Sequence, residues 1–397
     1  MTGMSDGDEL GVGLVGTSFM GRVHAQAWTL APRAFDLALT PRVVAVAGQD
    51  PERTTAFAAR NDIARASTDW RQLLDDPRVD VVDICVPGDL HAVIAEEALA
   101  AGKHVLCEKP LSNSLAEAES MVAAARSARE RGIQSMVGYS YRFVPALAHA
   151  RALVGAGRLG TIHHVRAQYL QDWIVDEHFP LVWRLDRERA GSGALGDIGA
   201  HIVDAAVFVT GQRLTGVSAL TETFVRERPL PAATGALAAT AGTGYGRVTV
   251  DDAAVFIGRT EGGALATFEA TRFAAGRKNA MRLEVNGSLG SVAFDFESAD
   301  ELWFHDHTVD ASEAGFRRIH MTEPSHPYAG AWWPAGHGLG YDHAFVHEVV
   351  DFVRAIAERR TPEPSFEDGL YVQRVLDAVE RSAASDAGWT PVDADRP

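Results

Sequence analysis

The stretch Leu10-Gly11-Val12-Gly13-Leu14-Val15-Gly16-Thr17-Ser18-Phe19-Met20-Gly21 decides the fold. An apolar run over residues 10–15 passes through a glycine-rich turn into a helical pattern over residues 20–30. Two G-x-G-x-x-G-like patterns overlap here. The one over residues 11–16 lies inside the apolar run. The one over residues 16–21 follows it and opens the helix, where backbone N–H groups can cradle a pyrophosphate on a helix N-terminus. Its middle position is Ser18 rather than glycine, which tightens the backbone approach and adds a hydroxyl. The turn predicts dinucleotide binding by Gly16, Ser18, Phe19, Met20 and Gly21.

Outward from this turn, apolar runs at residues 43–47, 79–86, 104–107 and 134–137 alternate with helical patterns at 51–60, 91–101 and 115–131. Strands alternating with helices of this length predict βαβ units and a doubly wound parallel sheet over residues 1–140. Beyond residue 140 the rhythm changes. Helices are predicted at 145–154 and 198–209, then strands at 216–224, 249–258, 263–272, 281–286 and 291–296, joined in part by hairpin turns at 261–263 and 286–288. Residues 230–246, rich in Ala, Gly and Thr, read as a mobile loop. Helices near 343–358 and 366–382 close the chain. The second domain, residues 141–397, is therefore expected to be α+β with a large, mostly antiparallel open sheet. Helices on one face leave the other to be covered, so a homodimer or homotetramer is expected.

The composition sets limits. The chain has 397 residues, 46% of them hydrophobic and 23% charged, with a formal net charge of −16. That acidity argues against nucleic acid and anionic membrane as main partners. Cys85 and Cys107 cannot build a disulfide framework, and residues 1–9 do not read as a secretory signal, so a cytoplasmic location is expected. No uninterrupted apolar run approaches the roughly 18 residues of a membrane span.

Among 37 basic residues only Lys103, Lys109 and Lys278 are lysines, which directs attention to positions where an ammonium is specifically needed. Cys107-Glu108-Lys109-Pro110 follows a predicted strand, which places Lys109 at the carboxyl edge of a parallel sheet, where ligands bind. An ammonium there can stabilise oxyanion character on a substrate oxygen. Glu108, Pro87 and His91 are assigned with Lys109 to the cofactor crevice. The selector of the cofactor's 2′ position falls at Gly48-Gln49-Asp50. Gly48 and Gln49 are neither acidic nor basic, Asp50 can reach a ribose or cap the next helix, and Arg53 can face a phosphate or solvent. NAD is favoured, with NADP possible.

Further along, Asp197, His201 and Asp204 occupy i, i+4 and i+7 of a predicted helix and would share one stripe. A carboxylate beside an imidazole tunes a general base near neutral pH. His343 and His347 have metal-ligand spacing, but Glu348 does not occupy the H-E-x-x-H position, so no metal is expected. His163 and His164 sit adjacent in a strand and face opposite ways. Tyr141, Arg142, Trp173, Arg184 and His337 are weaker candidates for substrate contacts.

The glycine turn, Glu108-Lys109-Pro110 and Asp197-x-x-x-His201, in this order, resemble the glucose–fructose oxidoreductase/inositol dehydrogenase/rhizopine-catabolism (Gfo/Idh/MocA) family. The resemblance covers nearly the whole chain. It implies a Rossmann domain followed by an α+β domain that forms oligomer contacts, a nicotinamide cofactor, and a sugar, polyol or related substrate. It also implies Lys109 as the substrate-orienting lysine, His201 as the acid/base and Asp197 as its partner. Trp332-Trp333-Pro334, with His337 and Tyr341, is similar to enzymes acting on glucosides and anhydrosugars such as levoglucosan. The expected activity is hydride transfer between nicotinamide and a secondary ring hydroxyl. A redox-neutral glycosidase would need a further base, for which Tyr141, Tyr169, His178 or His337 are available. A non-catalytic cofactor sensor is disfavoured by Lys109, Asp197 and His201 occurring together.

Overall fold

The structure, a computed structural model, describes residues 9–234 and 239–392. The chain divides into two compact units, Met1–Ser140 with Tyr341–Leu370, and Tyr141–Gly340 with Tyr371–Pro397.

The first unit runs β1 (Glu9–Val15), α1 (Phe19–Ala34), β2 (Thr40–Ala47), α2 (Pro51–Arg60), β3 (Arg65–Ser67), α3 (Arg71–Leu74), β4 (Val81–Ile84), α4 (His91–Ala100), β5 (His104–Glu108), α5 (Leu115–Arg129) and β6 (Ser135–Gly138). Its six strands pair in parallel in the order β3-β2-β1-β4-β5-β6. This is the Rossmann order, and the direction of winding reverses between β1 and β4. Val12, Leu14, Val81, Val82, Ile84, Val105 and Leu106 are fully buried, as expected of a parallel sheet covered on both faces. Gly11 and Gly13 belong to β1, and their lack of a side chain serves packing. A Cβ on Gly11 would lie 1.7 Å from the Arg78 carbonyl oxygen.

The second unit contains α6 (Pro145–Gly155), β7 (Ile162–Leu170), α7 (Arg187–Ala190), a π-helical turn (Leu195–Gly199) leading into α8 (Ala200–Thr210), then β8 (Leu214–Glu222), β9 (Glu227–Thr234), β10 (Ala239–Arg247), β11 (Ala253–Thr260), β12 (Leu265–Thr271), β13 (Ala280–Gly287), β14 (Gly290–Asp295), β15 (Glu301–Asp306) and β16 (Arg317–His320). The chain ends with α9 (Tyr341–Glu358), α10 (Phe366–Ala384) and β17 (Thr390–Pro391). Nine strands form one sheet in the order β16-β15-β14-β13-β7-β12-β11-β8-β17, antiparallel except for the β12–β7 pair. On β11, Ala254 and Phe256 are buried while Val255 and Ile257 are exposed, the period-two pattern of a sheet covered on one face. The apolar stretch Arg187–Thr210 matches a membrane span in length and composition, but 83% of its apolar window is buried within the fold.

Two expectations need correction. Residues 230–234 and 239–246 are strands rather than loop, lying in β9 and β10, which pair antiparallel; residues 235–238 of the expected loop lie outside the described residues. Their low side-chain content hid the strands, and tertiary anchoring forms them. Arg228 is wholly buried and donates to the carbonyls of Ile174, Asp176 and Phe179 at 2.7–3.2 Å, while Val248 and Val250 pack with Ile174, Val182 and Leu185. The second difference is α9, which sequence reading left in the second domain. It packs on α1 in the first unit, with Tyr341 stacked on Phe19 at 6.1 Å and His347 edge-on to Phe35 at 5.8 Å. An amphipathic helix does not announce which core it joins.

His104 ties β5 to the segment before β6, because its Nδ1 accepts the Gln134 backbone N–H at 2.9 Å. That bond requires a neutral ring. Burial, opposed by Asp80, lowers the His104 pKa to about 4. A depressed histidine pKa contributes stability that is complete above the unfolded value near 6.5 and is lost as pH falls toward 4. We expect unfolding free energy to drop by up to about 3 kcal/mol over that window. Urea titrations of wild type and His104→Asn between pH 7 and 4 should show a shallower drop in the variant.

Candidate active site

The turn after β1 fits a dinucleotide. Gly16 has φ +115°, and a Cβ there would lie 2.3 Å from the Cys85 carbonyl oxygen. A Cβ on Gly21 would lie 2.1 Å from the Gly16 carbonyl oxygen. Both glycines let backbone cross backbone where the winding reverses, beside the N-terminus of α1. Ser18 is the N-cap residue of α1, but its side chain makes no capping bond. Its Oγ instead accepts a hydrogen bond from Arg53 Nη2 at 3.0 Å, and the same nitrogen donates to the Thr17 carbonyl at 3.2 Å. Asp50 caps α2, its carboxylate accepting the Arg53 N–H at 3.0 Å, and Gln49 is exposed. Of the two readings left open for Asp50 and for Arg53, the structure shows a helix cap and a guanidinium turned to the glycine turn. Phe19 stacks with Tyr341, and Met20 packs against the core formed by Leu14, Val46 and Phe57.

At the end of β5, Glu108 is buried and its Oε2 accepts the backbone N–H of Lys109 at 3.1 Å. The Lys109–Pro110 bond is cis. His91, also buried, faces the Pro110 carbonyl with Nδ1 and the Val86 carbonyl with Nε2, both at 3.0 Å. It therefore links the loop after β4 to the Lys109 loop rather than offering a free nitrogen to a ligand. Pro87 precedes the short 3₁₀ turn Gly88–Leu90 that leads to His91.

In the second unit, the segment carrying Asp197 and His201 is capped by Asp251, whose carboxylate accepts the N–H groups of Gly193 at 2.7 Å and Leu195 at 2.8 Å. The π-helical turn breaks the stripe expected of a regular helix. Asp197 accepts from Arg272 Nη2 at 2.9 Å, whereas Asp204 is buried against Arg142, which donates from Nε at 2.9 and 3.0 Å. Arg142 is thus tied into a buried ion pair, which removes it from the substrate candidates. His201 is buried with its ring edge-on to Tyr141 at 4.8 Å and 5.8 Å from Tyr169. A single π turn at such a place is a common mark of a functional segment.

Sequence reading missed Arg272, Asn279 and Gln171. Arg272 is wholly buried at the end of β12, donates to the Gly193 carbonyl at 3.0 Å and lies 5.3 Å from the Trp173 ring. Arg184 stacks on Trp183 at 4.4 Å, and burial lowers its pKa, with Asp197 opposing and Arg272 adding to the effect. Asn279 Oδ1 accepts from Tyr169 at 2.6 Å and Gln171 Nε2 at 3.1 Å, and Gln171 Oε1 accepts from Trp173 Nε1 at 3.0 Å. Tyr141 and Tyr169 share a 2.6 Å hydrogen bond. No local motif marks these residues, because strand ends bring them together from distant positions. His337 is exposed and its Nδ1 faces the Pro334 carbonyl at 2.8 Å, a local turn contact.

Comparison with known proteins agrees with this chemistry. The family model described as "Oxidoreductase family, NAD-binding Rossmann fold" matches residues 10–139, and the "GFO/IDH/MocA C-terminal domain" model matches residues 147–293. A levoglucosan dehydrogenase from Pseudarthrobacter phenanthrenivorans is 40% identical over 96% of this chain and 98% of its own length.

The chain belongs to the Gfo/Idh/MocA oxidoreductase family.

Among solved structures, an oxidoreductase domain protein from Kribbella flavida superimposes with a TM-score of 0.93 at 58% identity, covering 97% of this chain and 99% of that one. A levoglucosan dehydrogenase in complex with NADH and levoglucosan gives 0.90 at 39% identity, covering 97% and 99%. This family member is an NAD-binding oxidoreductase, similar along most of its length to a levoglucosan dehydrogenase and to an inositol 2-dehydrogenase from Rhizobium meliloti (27% identical over 94% of this chain and 96% of that one).

The Gly16 crossing gives a direct test of cofactor binding. Gly16→Ala places a Cβ against the Cys85 carbonyl and forces a non-glycine residue to positive φ, a strain of about 1–3 kcal/mol. NADH affinity, followed by fluorescence titration, should fall by about 10- to 100-fold. A thermal melt should show the variant folded but with a lowered Tm.

Proposed function

We propose that this chain oxidises a secondary ring hydroxyl of an anhydrosugar or closely related glycoside, with levoglucosan the first compound to test. One observation carries the substrate class: 40% identity along nearly the full length of a levoglucosan dehydrogenase. Bound NAD supplies the hydride acceptor. His201 takes the hydroxyl proton, Lys109 stabilises the alkoxide that develops, and Asp197, held by Arg272, orients the acid/base group. Trp173 and the Gln171–Asn279 amides offer an apolar face and hydroxyl partners for a sugar ring. Cys85 and Cys107 are free and buried, in keeping with a cytoplasmic location.

The redox-neutral glycosidase reading fares worse. Burial pushes the Tyr141 phenol up to about 12, with Asp197 adding and the hydrogen bonds shared with Tyr169 and received from Asn279 opposing, so it is a poor base near neutral pH. His178 is exposed beside Glu177, and His337 is turned to its own loop.

His201→Ala and Lys109→Ala should each lower turnover by about 10²–10⁴-fold with NAD affinity retained. Asp197→Asn should cost less, because the imidazole remains. The double variant Asp197→Asn/His201→Ala should be hardly worse than His201→Ala, since groups acting as a unit are not additive. Steady-state NADH formation with levoglucosan, alongside thermal melts, reads all four. A stable His201→Ala enzyme with near-normal turnover refutes the assignment.

The open sheet face supports assembly. Leu220, Val255, Ile257, Leu265 and Trp303 are exposed there, an apolar patch of the kind that marks an interface. The proposed state is a homodimer or homotetramer. Light scattering at micromolar concentration should show it, and Val255→Asp/Ile257→Asp should shift it toward monomer.

A further inference from the structure

Behind the Lys109 loop lies a buried polar cluster that the proposed chemistry does not use. His24 on α1 points Nδ1 at both carboxylate oxygens of Asp83, at 3.0 and 3.1 Å, and Nε2 at Glu108 Oε1, at 3.0 Å. Asp83 also accepts from Trp28 Nε1 at 2.7 Å and from the Cys85 thiol at 3.5 Å. The second oxygen of Glu108 accepts the Lys109 backbone N–H. A continuous path of hydrogen bonds therefore runs from Trp28 and Asp83 through His24 and Glu108 to the backbone of Lys109.

We propose that His24, bridging Asp83 and Glu108, is a positioning residue that fixes the Lys109 backbone for reaction. This rests on the reading that Lys109 takes part in the chemistry. Both ring nitrogens face carboxylate oxygens, so only the doubly protonated ring donates to each; a neutral ring would set a lone pair against one carboxylate. Burial is the largest single influence and works against that charge, but the field and hydrogen bonds of Asp83 and Cys85 together outweigh it, which holds the His24 pKa well above its ordinary value. The other titratable groups facing the cluster carry no compensating charge. Burial pushes both the Cys85 and Cys107 thiols up, so they stay protonated. Glu348 on α9 is buried with no hydrogen-bond partner on either oxygen among the described residues. Burial, opposed by His24 and reinforced by Glu108 and Asp83, raises its pKa well above the carboxylate range, so it is a neutral acid. Among the described residues, His24 is thus the one cation between the two buried carboxylates. Without it Glu108 faces Asp83 uncompensated, and protonation or rotation of Glu108 releases the Lys109 N–H.

The test uses the full-length enzyme labelled with ¹⁵N-histidine. The His24 ring, assigned by its absence in His24→Gln, should keep both nitrogens protonated from pH 6 to 9; a neutral ring at pH 7 overturns the proposal. His24→Gln should lower kcat by about 10²-fold, as expected of a misplaced reactive group, leave the NAD dissociation constant unchanged and alter the pH profile of kcat. Glu108→Gln, which keeps an acceptor but not the charge, should lie between His24→Gln and wild type. A purely structural role predicts a lowered Tm with normal kcat and an unchanged pH profile, and that result also overturns it. Lys109→Ala separates the two levels. If it stays active, the reading of Lys109 falls and the positioning role falls with it. If it is inactive while His24→Gln turns over normally, only the positioning role falls. Should His24→Gln fail to fold, the wild-type ring signals, assigned by elimination with the remaining histidine variants, still decide. Because the folded pKa of His24 is raised, its contribution to stability is complete below about 6.5 and disappears as pH rises through the folded value.

Discussion

The first unit depends on one steric constraint: at Gly16 the backbone passes so close to the Cys85 carbonyl that no side chain fits. The Gly16 N–H bonds to the Ala47 carbonyl at 2.8 Å, which also pins the end of β1 to β2. From this crossing follow the entry of α1, the placing of Ser18 at its N-terminus and the approach of Arg53 from α2. It sits where the strand order reverses, so the same contact that closes the fold opens the crevice in which such sheets bind ligands.

The second unit solves a different problem, that of holding charged groups inside an apolar helix packed on a sheet. Asp251 satisfies the backbone at the start of the segment, Arg272 balances Asp197, and Arg142 balances Asp204. An isolated buried charge is expensive, and each of these has a partner of opposite sign or backbone donors. The π turn lets Asp197 and Asp204 meet different partners, which a straight helix with one polar stripe would not allow. In this arrangement His201 packs against the Tyr141 and Tyr169 rings.

The two units also differ in how they use arginine and lysine. Arg228, Arg272 and Arg142 are buried, and each makes several bonds from its planar fork to carbonyls or carboxylates. Lys109 carries the single ammonium of the Glu108-Lys109-Pro110 motif in a chain nearly devoid of lysine. A guanidinium builds structure here through its geometry, whereas an ammonium is a compact charge on a flexible stem, better suited to a reacting oxygen.

The alternation of apolar runs and helices determined the parallel sheet by itself, because burial on both faces writes the strands as continuous hydrophobic segments. The glycine turn and the Glu108-Lys109-Pro110 motif were equally local, since each depends on consecutive residues at the end of one strand. What the sequence left undetermined were the contacts made over long separations. Arg272 and Asn279 reach the second-unit site from the ends of β12 and the start of β13, and nothing in their neighbours marks them. The β9–β10 hairpin forms because Arg228 and the Val248–Val250 segment are anchored by residues some 50–75 positions earlier, not because its own residues favour strands. Helix α9 joins the first unit for a similar reason: periodicity specifies an apolar face, but only the tertiary structure supplies the surface that face meets.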